Sequence, residues 1–230
     1  MNADSKIGSV PENYRSSLRE DMIEFMPSSY HTVLEIGCGE GAFSLNLLPE
    51  SEYWGVESDS AAIIIGKGKN PKAHFINGNF PLIEEELPDN YFDVIVCNDI
   101  IEHIDDTQCL LKYIKKKMKR KGVLVASIPN VRHISVLNEL LIHKNWKYKD
   151  SGILDRTHLR FFTKKSMVDM LCENGFEVEK IKGINSLIGE CNDKLLRLKR
   201  LIKYSIPIFI LGGDTKYLQF GIKAGLKKQC

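Results

Sequence analysis

The stretch Val33-Leu34-Glu35-Ile36-Gly37-Cys38-Gly39-Glu40-Gly41 constrains this chain more than any other part of it. An apolar strand runs into three glycines at alternate positions, and a helix-like segment follows. Glycine lets backbone pass close to a ligand, and the first turn of a helix offers N–H groups with no intrahelical partner. Open α/β sheets use such a turn to bind ligands beyond the carboxyl ends of their strands. Short apolar, β-branched runs over 32–36, 53–56, 73–76, 92–97 and 123–128 alternate with helix-like segments. Runs that are apolar throughout fit strands covered on both faces, hence a parallel, doubly wound sheet with right-handed crossovers.

At 230 residues, 43% hydrophobic and 27% charged, the chain has the size and composition of one α/β domain over 1–230. No apolar run approaches the ~20 residues of a membrane span, and 1–9 lacks the apolar stretch of an export signal, so a soluble, cytoplasmic protein is expected. Cys38, Cys97, Cys109, Cys172, Cys191 and Cys230 form no Cys-x-x-Cys pair and read as reduced thiols. A net charge of +2 gives no ground for a nucleic-acid partner. Apolar spacing between Pro11 and Pro27 predicts a helix over 12–26, within a lid formed by 1–28, ahead of a cofactor-binding core over 29–128. Residues 129–163 are irregular, a length that compact domains use for function, and substrate contacts are expected to concentrate there. Regular structure resumes over 164–230: Thr163 as N-cap of a helix over 164–173, a strand over 176–181, a helix over 190–204 and a closing strand over 217–224.

The glycine spacing is Gly-x-Gly-x-Gly, not the Gly-x-Gly-x-x-Gly that frames a pyrophosphate, and Glu35 precedes it. A carboxylate there would repel a diphosphate but can meet an ammonium group, which weighs against a nicotinamide dehydrogenase. About 20 residues on, Glu57 ends the second strand, where a carboxylate can accept both ribose hydroxyls, while Asp59 caps the helix that follows. After the third strand, Asn79 can bond the adenine edge and Phe80 can pack on the ring; alone, this stretch would read as a turn.

With Phe92-Asp93-Val94-Ile95-Val96-Cys97-Asn98-Asp99-Ile100-Ile101-Glu102-His103, these ordered motifs resemble the class I, Rossmann-like methyltransferases across about residues 14–181. The resemblance implies a seven-stranded, mostly parallel sheet with helices on both faces, closed by an antiparallel edge hairpin of 176–181 and 217–224. It implies S-adenosylmethionine as cofactor and S-adenosylhomocysteine as product. Gly37, Cys38 and Gly39 would form the turn around it, Glu57 and Ser58 would meet the ribose, and Asn98 and Ile100 would line it. Tyr14 and Arg19 would reach the methionine carboxylate from the lid. Asn79 departs from the Asp common in relatives; an amide donates as well as accepts.

A narrower likeness lies in Ser127-Ile128-Pro129-Asn130-Val131-Arg132-His133 and Asp155-Arg156-Thr157-His158-Leu159-Arg160-Phe161-Phe162-Thr163. These resemble methyltransferases of bacterial surface-polysaccharide and capsule loci, which implies O-methylation of a sugar or small phosphorylated precursor. Asn130, Arg132, His133, Asp155, Arg156 and Arg160 are the candidate acceptor contacts, with Arg156 or Arg160 holding an anionic group. His158 or His103 is the candidate proton acceptor, against readings as a structural histidine or a pocket wall. Phe161 and Phe162 read as core anchors, and Asp155 with either arginine as an ion pair. No His-x-x-x-His or His-x-His pair occurs, so no metal is expected. The basic run 112–121 reads as a solvated helix end. The basic amphipathic stretch 194–203 reads as a helix packed on the sheet, with weak contact to an anionic membrane surface as the alternative. Transfer to another small-molecule oxygen or nitrogen, or a methyltransferase-like module that only binds, are the remaining functional alternatives.

Overall fold

The computed structural model describes residues 17–79, 86–187 and 194–228, without the side chains of 194, 196, 197 and 200–203. Seven strands form one sheet: β1 (Thr32–Ile36), β2 (Glu52–Glu57), β3 (His74–Asn77), β4 (Phe92–Asn98), β5 (Met118–Pro129), β6 (Phe176–Ser186) and β7 (Tyr217–Leu226). Their order is β3-β2-β1-β4-β5-β7-β6. The first five run parallel, and β7 lies antiparallel between β5 and the edge strand β6. Strand order reverses between β1 and β4, and the crevice at their carboxyl ends is where such sheets bind ligands. The α-helices are α1 (Ser60–Lys69), α2 (Thr107–Lys117), α3 (Ile134–Leu141), α4 (Lys164–Glu173) and α5 (Lys194–Leu211).

The uninterrupted apolar strands have a direct explanation in the two core layers. Successive strand residues face opposite sides of a sheet. Leu34, Ile95, Leu124 and Ile222 pack on one side with Leu110, Leu111 and Ile114 of α2 and Met167 and Leu171 of α4. Val33, Val94, Val96, Val123 and Val125 pack on the other with Ile63 of α1 and with Met22 and Phe25. Local capping sets the helix starts as the sequence predicts. Asp59 accepts from the Ala61 amide at 2.9 Å, and Thr163 and Ser166 form a reciprocal capping box at α4. Phe162 is buried and Phe161 packs against the small cluster of Val136, Ile153 and Leu154.

Four expectations are corrected. Within the described residues, the leading helix is a 3₁₀ turn, Glu20–Phe25, because Arg19 adopts a left-handed conformation (φ 49°) that breaks a continuous helix. Met22 and Phe25 are fully buried in the core, so this part of 1–28 is a wall of the domain. Phe25 rests on β7 where Gly221 has no side chain; an added Cβ would lie 2.4 Å from its ring. The basic run is not a solvated helix end throughout: α2 stops at Lys117, β5 begins at Met118, and the buried Lys117 ammonium donates to Leu87 O and Asp89 Oδ1. Finally, α5 extends to Leu211, packs on Gly213–Lys216 and α3, and leaves Leu195 and Leu198 exposed, so it is not the half-buried sheet helix expected. No helix among the described residues is long and apolar enough to cross a membrane.

Phe25→Ala should therefore lower stability by about 3–5 kcal/mol in urea denaturation, the range for emptying a buried aromatic site. An unchanged midpoint would remove Glu20–Phe25 from the core.

Candidate active site

The Gly-rich turn lies at the carboxyl end of β1, under Ile100 from the end of β4. Gly37 has φ +73°, and a Cβ there would lie 2.0 Å from Ile100 Cδ1, so both conformation and space require glycine. Glu57, half-buried at the end of β2, ties the turn to its neighbour strand. Its Oε2 accepts from the Gly39 amide at 3.0 Å, and its Oε1 accepts from Ser58 Oγ at 3.0 Å and the Asp59 amide at 2.9 Å. Asn77 reinforces the arrangement by donating to the Glu57 and Ser58 carbonyls. Asn79 is exposed just past β3. Tyr14 and Phe80 lie outside the described residues.

Beneath the turn, Glu35 is buried and accepts a 2.5 Å hydrogen bond from the Tyr53 hydroxyl. Burial pushes its carboxyl from the ordinary 4.5 up to about 7. Cys38 is buried beside it, and burial drives its thiol far up, which excludes a thiolate nucleophile. Asn98, at the end of β4, is buried with neither amide atom hydrogen-bonded among the described residues. Such an amide is costly to bury unless a partner completes it, which suits a residue that meets a polar ligand. Arg19 donates to Asp99, to Asp21 Oδ1 at 3.1 Å and to Gln219 Oε1 at 3.3 Å. Asp99 is further held by Ser127 Oγ and Gln219 Nε2, each at 2.9 Å. Arg19 thus reaches the mouth of the sheet, as expected, but is engaged there by carboxylates.

Beyond β4, the 3₁₀ turn Ile101–His103 meets the irregular segment. The Glu102 carbonyl accepts from the Leu159 and Arg160 amides at 2.9 and 3.1 Å, and this clip sets His158 beside His103, ring centroids 4.7 Å apart. His103 Nδ1 lies 3.2 Å from Thr157 O, and His158 Nδ1 lies 2.9 Å from Ile153 O. A carbonyl only accepts, so both Nδ1 atoms carry hydrogen and both neutral rings present a bare Nε2. Burial lowers the His103 pKa, which favours that neutral form. Glu102, 1% exposed, has neither carboxyl oxygen hydrogen-bonded, and its Oε1 is 4.0 Å from His158 Nε2. Burial, then the Asp99 charge, pushes it well above the usual carboxylate range.

The structure thus brings the two candidate histidines together and adds Glu102, Tyr53, Asp99 and Gln219, which the sequence reading left out of the site. Glu102 had one signal, a lone carboxylate in the apolar Ile100-Ile101-Glu102-His103-Ile104. The other acceptor candidates have structural duties. Asn130 donates to the Asp214 and Tyr217 carbonyls and accepts from the Arg132 amide, so its amide is spent within the fold. Arg132 binds Asp214 and the Leu211 carbonyl. His133 caps α3 through Ser135, and burial lowers its pKa to about 4. Asp155 does not pair with Arg156 or Arg160; it accepts from Thr157, while exposed Arg156 pairs with Asp150 and Arg160 binds the Ile104 and Asp105 carbonyls. A cleft of about 1080 Å³ lies elsewhere, among Lys115, Arg120, Lys121 and Gly175. It sits at the amino ends of the parallel strands, opposite the Gly-rich turn, and lacks a comparable set of convergent buried groups.

Glu35 gives the site a measurable pH signature. Burial keeps its proton bound in the folded chain, so stability present below pH 4.5 is lost as pH rises to about 7. His133, held neutral, contributes the opposite slope between about pH 4 and its ordinary 6.5. Comparison with Glu35→Gln at each pH cancels the histidine. The stability of wild type relative to that variant should fall by about 3 kcal/mol at most from pH 4.5 to 7 and then level off. A constant difference would mean an ordinary carboxylate.

Residues 12–181 match the family described as "Methyltransferase domain". Among curated proteins, the chain is 24% identical over 176 residues to a Rickettsia bellii ubiquinone biosynthesis O-methyltransferase, covering 71% of this chain and 70% of that protein. It is 29% identical over 154 residues to a probable S-adenosylmethionine-dependent methyltransferase of Mycolicibacterium smegmatis, covering 66% of this chain and 54% of that protein. Its fold matches the crystal structure of a SAM-dependent methyltransferase from Archaeoglobus fulgidus, with a TM-score of 0.64, 22% identity and 93% of each chain covered. One from Aquifex aeolicus matches with a TM-score of 0.57, 14% identity, and 94% and 93% covered. This chain therefore belongs to the methyltransferase-domain family and is an S-adenosylmethionine-dependent enzyme.

Proposed function

We propose that the chain transfers a methyl group to a hydroxyl oxygen of a small-molecule acceptor held at Glu102, His103 and His158. The observation that carries this reading is the pairing of His103 and His158 just beyond the end of β4, ring centroids 4.7 Å apart, each with Nδ1 held by a backbone carbonyl and Nε2 left bare. When bound, the cofactor supplies a methyl already activated on a sulfonium. The chain then has to align the acceptor oxygen in line with that methyl, exclude water and take up the hydroxyl proton. Glu57, half-exposed beside the Gly-rich turn, is placed to accept the ribose hydroxyls. The Asn98 amide is placed to bond the amino-acid arm, with Gly37 giving it close passage. Asn79, exposed just past β3, takes the adenine edge in this reading. Either bare Nε2 can receive the acceptor proton, and the lowered pKa of His103 keeps that ring available.

Oxygen as the acceptor atom is supported by relatives whose printed names specify O-methyltransfer in ubiquinone biosynthesis. The narrower reading of a sugar or phosphorylated precursor of a surface glycan rests on the likeness of 127–133 and 155–163. That support is reduced by the structural bonds of Asn130, Arg132 and His133. A hydroxylated precursor in quinone biosynthesis is the second reading, favoured by those same relatives. A methyl-transfer screen over nucleotide sugars and phosphorylated sugars on one side, and hydroxylated aromatic quinone precursors on the other, separates them. Transfer to amines alone would overturn the hydroxyl reading.

Three substitutions divide binding from chemistry. Glu57→Ala should weaken S-adenosylmethionine binding by about 1.5–3 kcal/mol in calorimetry, as for loss of a charged hydrogen-bond acceptor. His158→Ala or His103→Ala should cut turnover by about 10²–10⁴-fold with cofactor affinity nearly unchanged. Near-full turnover in both histidine variants would take proton handling away from the pair.

A further inference from the structure

Glu102, His103 and His158 come from a 3₁₀ turn and from a segment more than fifty positions later, so no local spacing in the sequence announces them as a set. One ligand-type atom from each lies within 4.8 Å of the others. Four features make this more than a chance cluster. Both Nδ1 atoms are anchored to backbone carbonyls, at Thr157 and Ile153, which fixes each ring and leaves Nε2 unprotonated in the neutral form. Metal-binding histidines are oriented in this way by an acceptor on the other ring nitrogen. The Glu102 carboxyl is almost fully buried, yet neither of its oxygens has a hydrogen-bond partner among the described residues. A buried carboxylate is ordinarily paired or coordinates a metal. Among the described residues no other residue's side chain or backbone hydrogen-bonds those oxygens, whereas the Glu102 backbone is held by Leu159 and Arg160. Lastly, His103 is half-buried at the rim, which leaves a side of the cluster open toward the irregular segment.

We propose that Glu102, His103 and His158 form a site for a first-row divalent cation, bound by two Nε2 atoms and one carboxylate, with its open position toward the acceptor oxygen. This deepens the proposed function and rests on it for the acceptor alone; the cation site stands on the three side chains. Two imidazoles and a carboxylate are a ligand set that takes zinc and its neighbours, with room for a further oxygen ligand. Around tetrahedral zinc, ligand atoms at about 2.0–2.2 Å lie about 3.3–3.5 Å apart. From 4.8 Å the spacing closes by up to about 1.5 Å on binding, a motion within reach of rotation of the Glu102 carboxyl. A cation there would keep Glu102 ionised and favour the deprotonated form of a bound hydroxyl, whose proton passes to solvent before the oxygen attacks the methyl. In that arrangement the histidines hold the cation and the proton goes to solvent, whereas in the metal-free chain the same bare Nε2 atoms are the ones that take it.

The test is a metal titration of the whole chain after dialysis against a chelator, without cofactor or acceptor. Zn²⁺ should bind with one-to-one stoichiometry and a Kd in the micromolar range or below by calorimetry. Co²⁺ should give a visible d–d absorbance without a thiolate charge-transfer band, and Zn²⁺ should displace it. A background with Cys172→Ser, Cys191→Ser and Cys230→Ser removes the thiol that is exposed among the described residues and the two that lie outside them as competitors. Glu102→Gln, isosteric and free of a buried charge, and His158→Ala should each weaken binding by at least about 100-fold. His103→Ala, at the rim, reads the same site should a buried variant fail to fold. Wild type without Zn²⁺ binding tighter than about 100 μM, or variants that bind as wild type does, would overturn the proposal. Because no acceptor is present, loss of metal binding speaks against the cation alone. A metal-loaded protein inactive on every hydroxyl acceptor speaks against the acceptor reading alone.

Discussion

Ile100 lies so close to Gly37 that one added methyl group would overlap it. That contact joins the carboxyl ends of β1 and β4, the two strands between which the sheet reverses its order. The rest of the functional edge depends on it. The chain leaves β1 in a left-handed turn and passes under Ile100, and Glu57 fastens the Gly39 amide from the other side. Directly after Ile100, the 3₁₀ turn presents Glu102 and His103. A side chain at position 37 would push Ile100 away and disturb the Gly-rich turn and the 3₁₀ turn that carries Glu102 and His103 together. The proposed binding and chemical groups thus share one steric constraint, which a single glycine satisfies.

The electrostatics of this edge follow from which charges the fold gathers there. Glu35, Glu57, Asp99 and Glu102 stand at the carboxyl ends of β1, β2 and β4, and Arg19 reaches in to bind Asp99. Burial raises Glu35 and Glu102, and the Asp99 charge raises Glu102 further, so the site does not carry its full formal negative charge at neutral pH. Such a site suits a ligand that brings positive charge, as a sulfonium and an ammonium do, and repels a diphosphate. This agrees with the spacing of the glycines, which also departs from the pyrophosphate-binding pattern.

The sequence revealed most where structure is decided locally. β1 spans Thr32–Ile36 and α4 spans Lys164–Glu173 with Thr163 as its cap, as predicted, because an apolar run and a capping residue carry their own boundaries. β5 is longer than the apolar pattern indicates, since Met118 pairs with Phe92 before the basic residues and Gly122 intervene. The polar residues of 129–163 were harder to assign. Asn130, Arg132 and His133 have the residue types of a binding wall, but their partners at Asp214, Leu211 and Ser135 are fixed by where β7, α5 and α3 end up. Glu102 was overlooked for the converse reason: its significance lies in what faces it across the fold, His158, and in the hydrogen bonds it lacks.

The account turns on one placement: the cofactor at the carboxyl ends of β1, β2 and β4, with its reactive end toward the two histidines. A crystal structure of the chain with S-adenosylhomocysteine measures it directly. The account predicts ribose hydroxyls within hydrogen-bond distance of Glu57, the amino-acid arm against Asn98, and the sulfur facing His103 and His158. Product bound in the basic cleft at Lys115 and Arg120, or with its sulfur turned away from that pair, would contradict it.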